Sequence, residues 1–140
     1  MEKKVNQILS QFRKTPFVHN GRSVEEGADC LGFLILFYRE FGIELPSDDG
    51  KTVEKEWYLS DPNRYIRAIK GLGYENITGD NLKPLDLIFF VVDHDVITHT
   101  GILLDNNRFV HMTPKAGLRI SKFERHWRRR FRGGVRIIED

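Results

Sequence analysis

The chain has 140 residues, 22 Lys and Arg against 20 Asp and Glu, and a formal net charge of +2, so neither length nor charge calls for more than one compact domain or for a nucleic-acid partner. It is 40% hydrophobic and 30% charged, an ordinary globular balance with enough apolar material for a core. Its single cysteine excludes an internal disulfide and any multi-cysteine metal cluster, and no run approaches the ~18 apolar residues of a membrane span.

In chain order, the opening MEKKVNQILSQF lacks the apolar run of a secretory signal. The expectation is a chain made and kept in the cytoplasm, or one that leaves by a route its sequence does not encode. Val5, Ile8, Leu9 and Phe12 recur at i, i+3, i+4 and i+7 and predict a helix that Thr15-Pro16 ends. The next stretch, PFVHNGRSVEEGA, is rich in turn formers. A second helix is expected from Asp29, whose carboxylate suits an N-cap, to Gly42, a C-cap. Leu31 and Phe33 to Tyr38 are apolar on every side, the mark of a buried helix. A strand is the rival reading of so short an apolar run; the length and the caps favour helix. A third helix is signalled by Asp61 as cap, Pro62 at the first position and Gly71 or Gly73 as stop.

From Lys83 the pattern changes to strands. They are expected at Asp86 to Val92, Ile97 to Leu104, Arg108 to Met112, Leu118 to Ser121 and Val135 to Ile138. Ser121-Lys122-Phe123-Glu124 reads as a capping box opening a short helix, with Phe123 and Trp127 four apart as core. Helices first and an antiparallel run of strands after them make an α+β fold.

Cys30 falls at the first turn of the second helix. An ordinary thiol has a pKa of about 8.5, and aligned peptide dipoles at a helix N-terminus favour its thiolate. By position alone it fits core packing at least as well as a nucleophile. The histidines add weight to the second reading. His99 and His111 both fall within expected strands, far from Cys30 in sequence, and a thiol on a helix with an imidazole on a strand is a nucleophile-and-base layout. The hairpin between the two strands decides whether they cooperate. A two-residue loop pairs positions summing to 213 and puts the two imidazoles on opposite faces. A three-residue loop, Asp105 to Asn107, pairs positions summing to 212 and puts them on one face. Asn107 tolerates the left-handed conformation that such a loop requires, so three residues, or a bulge giving the same parity, are expected.

Asp93, His94 and Asp95 are adjacent in a turn, where three donors rarely converge; no metal and no cofactor are expected. The basic stretch His126 to Arg136 fits a solvated face, a surface for anionic polymers or carboxylates, or a nucleic-acid surface. The small net charge speaks against the last.

Asp29-Cys30-Leu31-Gly32-Phe33 resembles the D-C-x-G-F signature of the NlpC-type cell-wall peptidases, a papain-like cysteine peptidase family. Gly42 to Pro46, Leu82 to Phe90, His99-Thr100-Gly101-Ile102 and Phe109 to Met112 look like later segments of that family, in the same order, so the likeness runs from about Phe12 to Ile138. It implies a single domain over residues 1–140, with N-terminal helices packed on an antiparallel sheet of about five strands. By the same resemblance Cys30 is the nucleophile, His99 the base and then acid, and His111 the residue that orients His99, while the Cys30 N–H helps hold the oxyanion. The implied substrate is a peptide stem of bacterial peptidoglycan, often cut beside a D-γ-glutamyl link to a diamino acid.

Leu31 stands where Ser is frequent, Leu85 where Gly is frequent, and the loop that usually offers a Tyr near the thiol offers Phe17 and His19. These departures bear on specificity more than on mechanism. His19 and Arg22 are candidates to bind a substrate carboxylate, with a solvated loop the alternative, and Asp29 could orient the site, although N-cap is its simpler role. His19-Asn20-Gly21-Arg22 and Arg39-Glu40-Phe41-Gly42-Ile43 look most like the branch found in phage tail and gene-transfer-agent clusters, which would make tail proteins partners and the chain virion-associated. Two alternatives keep the fold: an acyltransferase, and a non-enzymatic tail or wall-binding module with a relic site.

Overall fold

The computed structural model describes residues 2–18, 21–45, 75–93, 96–105 and 107–138. The expected third helix lies outside them, as do His19, His94 and Asp95. The chain forms two compact units, one of Met1–Thr52 with His111–Arg119, the other of Val53–Val110 with Ile120–Asp140.

In the first unit, helix α1 (Glu2–Gln11) buries Val5, Ile8 and Leu9, with Phe12 buried just past its end. The chain then turns where Thr15-Pro16 forbids more helix. The following segment, read as loop, contains a two-stranded sheet of β1 (Arg22–Ser23) and β2 (Gly27–Ala28). Its turn is held by the Ser23 hydroxyl, which accepts from the Glu26 N–H at 3.1 Å, and by the Thr15 hydroxyl, which donates to the Val24 carbonyl at 2.7 Å. Phe17 forms a parallel bridge to Ala28. Helix α2 (Cys30–Arg39) follows and is buried along almost its whole length. Gly42, at φ 79°, closes it: its N–H donates to the Arg39 carbonyl and that of Ile43 to the Tyr38 carbonyl, the Schellman pattern. Phe12 meets Phe33 edge-on at 5.0 Å, and Lys4 lies over the Phe41 ring at 4.6 Å, so α1 and α2 are joined at both ends.

The second unit is built on an antiparallel sheet. Its strands are β3 (Glu75–Ile77), β4 (Leu87–Asp93), β5 (Val96–Leu103), β6 (Arg108–Thr113), β7 (Gly117–Lys122) and β8 (Phe131–Arg136), in the order β3-β8-β4-β5-β6-β7. Strands β6 and β7 contribute residues to both units. Among the described residues the sheet has six strands where about five were expected. The extra one, β3, is three residues of mixed polarity, too short to show an alternation. The last strand begins at Phe131, four residues before the expected Val135, because Gly133 and Gly134 interrupt the apolar pattern but not the pairing.

Helix α3 (Arg125–Arg130) also corrects an expectation. Ser121 does not cap it; Ser121 lies in β7, and Glu124 is the N-cap without a side-chain cap bond. The Phe123 N–H donates instead to the Asn107 carbonyl, and its ring sinks into the core, which holds residues 121–123 extended. That core comprises Ile88, Phe90, Leu103, Phe109 and Phe123, with Leu82, Trp127 and Phe131 packed on it, so Phe123 and Trp127 are core as expected.

Two features pin the entry to β4. Leu85, in the position where Gly is frequent, has φ 75° and is buried; its N–H donates to the Leu103 carbonyl. A non-glycine residue costs about 1 kcal/mol there, offset by burial of its side chain. Asp86, 1% exposed, takes two bonds from Arg136, at 3.1 and 2.9 Å, and one from the Lys83 N–H at 2.8 Å. A buried carboxylate is tolerated only with such a partner.

Candidate active site

Cys30 is the first residue of α2 and is half-buried, which sets it apart from the fully buried apolar residues that follow. Asp29 caps the helix as expected: its Oδ1 accepts from the Gly32 N–H at 2.8 Å, and its backbone carbonyl accepts from Phe33 at 2.9 Å. Arg22, singled out as a possible substrate ligand, donates from Nη1 to the same Oδ1 at 3.0 Å and to the Gly21 carbonyl at 2.8 Å. Arg22 therefore ties the segment before the cysteine to the cap of the helix that carries it. Charged acceptors make strong bonds, and this one is largely shielded.

Gly32 explains its place in the motif. A Cβ there would run into the Gly21 carbonyl oxygen, and one on Gly21 would run into Gly27. The strap that leads into α2 thus lies flush against its first turn at Gly21, and three glycines, Gly21, Gly27 and Gly32, make the close approaches possible. Phe17 is half-buried within that strap. His111, on β6, is buried with 1% exposure.

His99 lies on β5 in the second unit, half-buried. Its strand neighbour in β4 is Phe90, after which the register shifts: Phe90 pairs with His99 and Val91 with Ile97, so Thr98 is a bulge beside the imidazole. Strand β8 shifts at the same level, Phe89 pairing with Gly133 and Phe90 with Phe131. The Trp127 indole stacks on the His99 ring at 5.6 Å and 29°, and Phe90 stands 6.2 Å away. Burial among these rings pushes the imidazole down from 6.5 to about 4, so it is neutral at neutral pH.

Strands β5 and β6 pair Ile102 with Val110 and Leu103 with Phe109, both summing to 212. The register therefore has the parity expected of a three-residue loop, and the Leu104 N–H donates to the Arg108 carbonyl at 2.9 Å. Asp105 holds the loop by accepting from the Asn107 N–H at 3.0 Å and from Arg108 at 2.8 Å. Those two bonds, the backbone one first, keep its carboxyl below the ordinary value.

The sequence reading missed two features. Trp127 was assigned to the core with no link to His99. Asp86 was read as part of a strand motif with no partner; its position between apolar residues signals a buried acid needing a cation, though not that the cation is Arg136.

A sequence profile of the NlpC/P60 family matches residues 14–136. Among curated proteins, the murein DD-endopeptidase/murein LD-carboxypeptidase MepS of Escherichia coli is 30% identical over 120 residues, covering 84% of this chain and 54% of that protein. The chain spans about half the length of the curated relatives it matches. Among solved structures, an NlpC/P60 family protein from Bacillus cereus aligns with a TM-score of 0.71 at 19% identity, over 97% of this chain and 40% of that one. RipD of Mycobacterium tuberculosis, described as a non-catalytic NlpC/p60 domain protein adapted to peptidoglycan binding, aligns with a TM-score of 0.63 at 14% identity, over 98% of this chain and 97% of that one. The structural likenesses bear out the α+β fold of this family.

Proposed function

The chain belongs to the NlpC/P60 family, and we propose that it is a cysteine peptidase that hydrolyses peptide stems of bacterial peptidoglycan. The observation that carries this reading is the setting of Cys30: a half-buried thiol on the first residue of a capped, buried helix, where the peptide dipoles favour thiolate. In the proposed reaction its sulfur attacks the scissile carbonyl. The C–N bond breaks as His99 gives the leaving amine the proton it took from the thiol. Water then cleaves the C–S bond of the acyl-enzyme. The 212 register supports a role for His111 in orienting His99, since that parity belongs to imidazoles on one face. The Cys30 N–H lies at the N-terminus of α2, the end whose dipoles favour negative charge, and is the proposed oxyanion donor.

The test is digestion of purified muropeptides by the wild type and Cys30→Ala, with product masses locating the bond. Cleavage beside a D-γ-glutamyl link, between D-amino acids or at an L,D bond gives different fragments. Loss of cleavage in Cys30→Ala, with its circular dichroism and melting temperature retained, is the expected result. Undiminished cleavage refutes the reading. RipD shares this fold, so the competing reading is a peptidoglycan-binding module. It requires a wild type that sediments with peptidoglycan and releases nothing from it.

A further inference from the structure

The indole of α3 lies flat against the imidazole of β5. Helix α3 is six residues long, RHWRRR, five of them basic or imidazole side chains. A helix that short has little stability of its own and is held by what it packs on. Trp127 is its anchor. The indole contacts Phe90 at 5.0 Å and Phe109 at 5.3 Å, both edge-on, while its face is given to His99 at 5.6 Å and 29°. Phe90, the residue on which Trp127 and His99 both rest, sits where both neighbouring strands shift register. The bulge at Thr98 frees His99 from regular pleating, and the aromatic cluster then fixes where its ring lies.

We propose that Trp127 is a positioning residue for His99, its indole fixing the plane of the imidazole and keeping water off one of its faces. This rests on the reading of His99 as the general base. Stacking restricts rotation about χ2, the torsion that sets where each ring nitrogen points. A base turned away from its proton costs rate without costing affinity. The depressed basicity of His99 accords with the same enclosure. Among the described residues of its unit, β4 presents Phe90 to His99 and α3 presents Trp127. The charged and titratable groups of α3 are Arg125, His126, Arg128, Arg129 and Arg130. Arg128 donates to the Phe123 carbonyl and lies over the Phe123 ring, Arg130 bonds His126, and His126 meets the Trp127 ring edge-on at 5.1 Å.

Two variants of the full chain separate stacking from bulk. Trp127→Phe keeps a flat ring; Trp127→Leu keeps apolar volume without one. The readouts are the His99 titration midpoint by NMR and kcat and KM on a purified muropeptide. In Trp127→Leu the midpoint is expected to move up from about 4 towards 6.5, and kcat to fall by roughly 10- to 100-fold with KM within about twofold. Trp127→Phe is expected to retain most of both. An unmoved midpoint in Trp127→Leu overturns the proposal, whatever happens to kcat, as does a midpoint that moves equally in Trp127→Phe. A midpoint that moves as expected in a chain that cleaves no muropeptide upholds the stacking role and counts against the hydrolase reading instead.

Discussion

Replacing His99 by Gln is expected to make the protein less sensitive to acid. In the folded chain the imidazole resists protonation down to about pH 4, whereas in the unfolded chain it takes up a proton near its ordinary 6.5. Between those values the unfolded state binds more protons, so stability falls as pH falls through the window; below it both states are protonated and the loss is complete. The full difference of about 2.5 units corresponds to about 3.4 kcal/mol. Integrated to pH 5, the linkage amounts to about 2 kcal/mol, against about 0.2 kcal/mol at pH 7. That is a large part of the 5–15 kcal/mol that holds a typical domain together. The assay is urea unfolding of wild type and His99→Gln at both pH values. With a slope of about 2 kcal/mol/M, the wild-type midpoint should drop by about 1 M more than that of the variant. Other titrating groups act on both proteins and cancel in the comparison. Equal midpoint drops in the two would show that burial does not hold this imidazole neutral.

Two further outcomes follow from packing and charge. Gly32→Ala is expected to destabilise by about 2 kcal/mol in urea unfolding, because the new methyl meets the Gly21 carbonyl; at an unobstructed helix position the same change stabilises by up to about 1 kcal/mol, so a gain would refute the close approach. Asp86→Asn should cost about 3 kcal/mol by leaving the Arg136 cation shielded without its anion, whereas Asp105→Asn, at an exposed ion pair, should cost under about 1 kcal/mol; similar losses would contradict the contrast in burial.

What was legible in the sequence is what short-range chemistry dictates. Asp29 before an apolar run and Gly42 after it mark the ends of α2, because cap and stop act within one turn. The register of β5 on β6 could be anticipated because a loop's length fixes the pairing of the strands it joins. Hidden from that reading was whatever joins residues distant in sequence. Asp86 and Arg136 stand 50 positions apart, and no local pattern couples them. Strands β1 and β2 are two residues each, below the length at which alternation exists. The capping-box pattern at Ser121 was outweighed by burial of the Phe123 ring, worth more than a cap. At the candidate site the sequence offers residue types but not the contacts around them: Arg22 bonds the Asp29 cap, and the Trp127 indole stacks on the His99 ring.

The enclosure of His99 sets a condition on the proposed chemistry. An imidazole at about 4 is a poor base for a thiol, since even a thiol lowered to about 7 would give up its proton only at a cost of about 4 kcal/mol. The low dielectric that causes the depression also strengthens the pull of any anion brought beside the ring. On the hydrolase reading that anion is the thiolate, and a neighbouring thiolate raises the imidazole's proton affinity as it forms. Proton transfer then becomes favourable only with both partners in register, and an imidazole free to turn would lose the attraction that offsets its burial. Aromatic packing that merely shielded His99 would therefore disable it; packing that also fixes its plane makes a buried base usable.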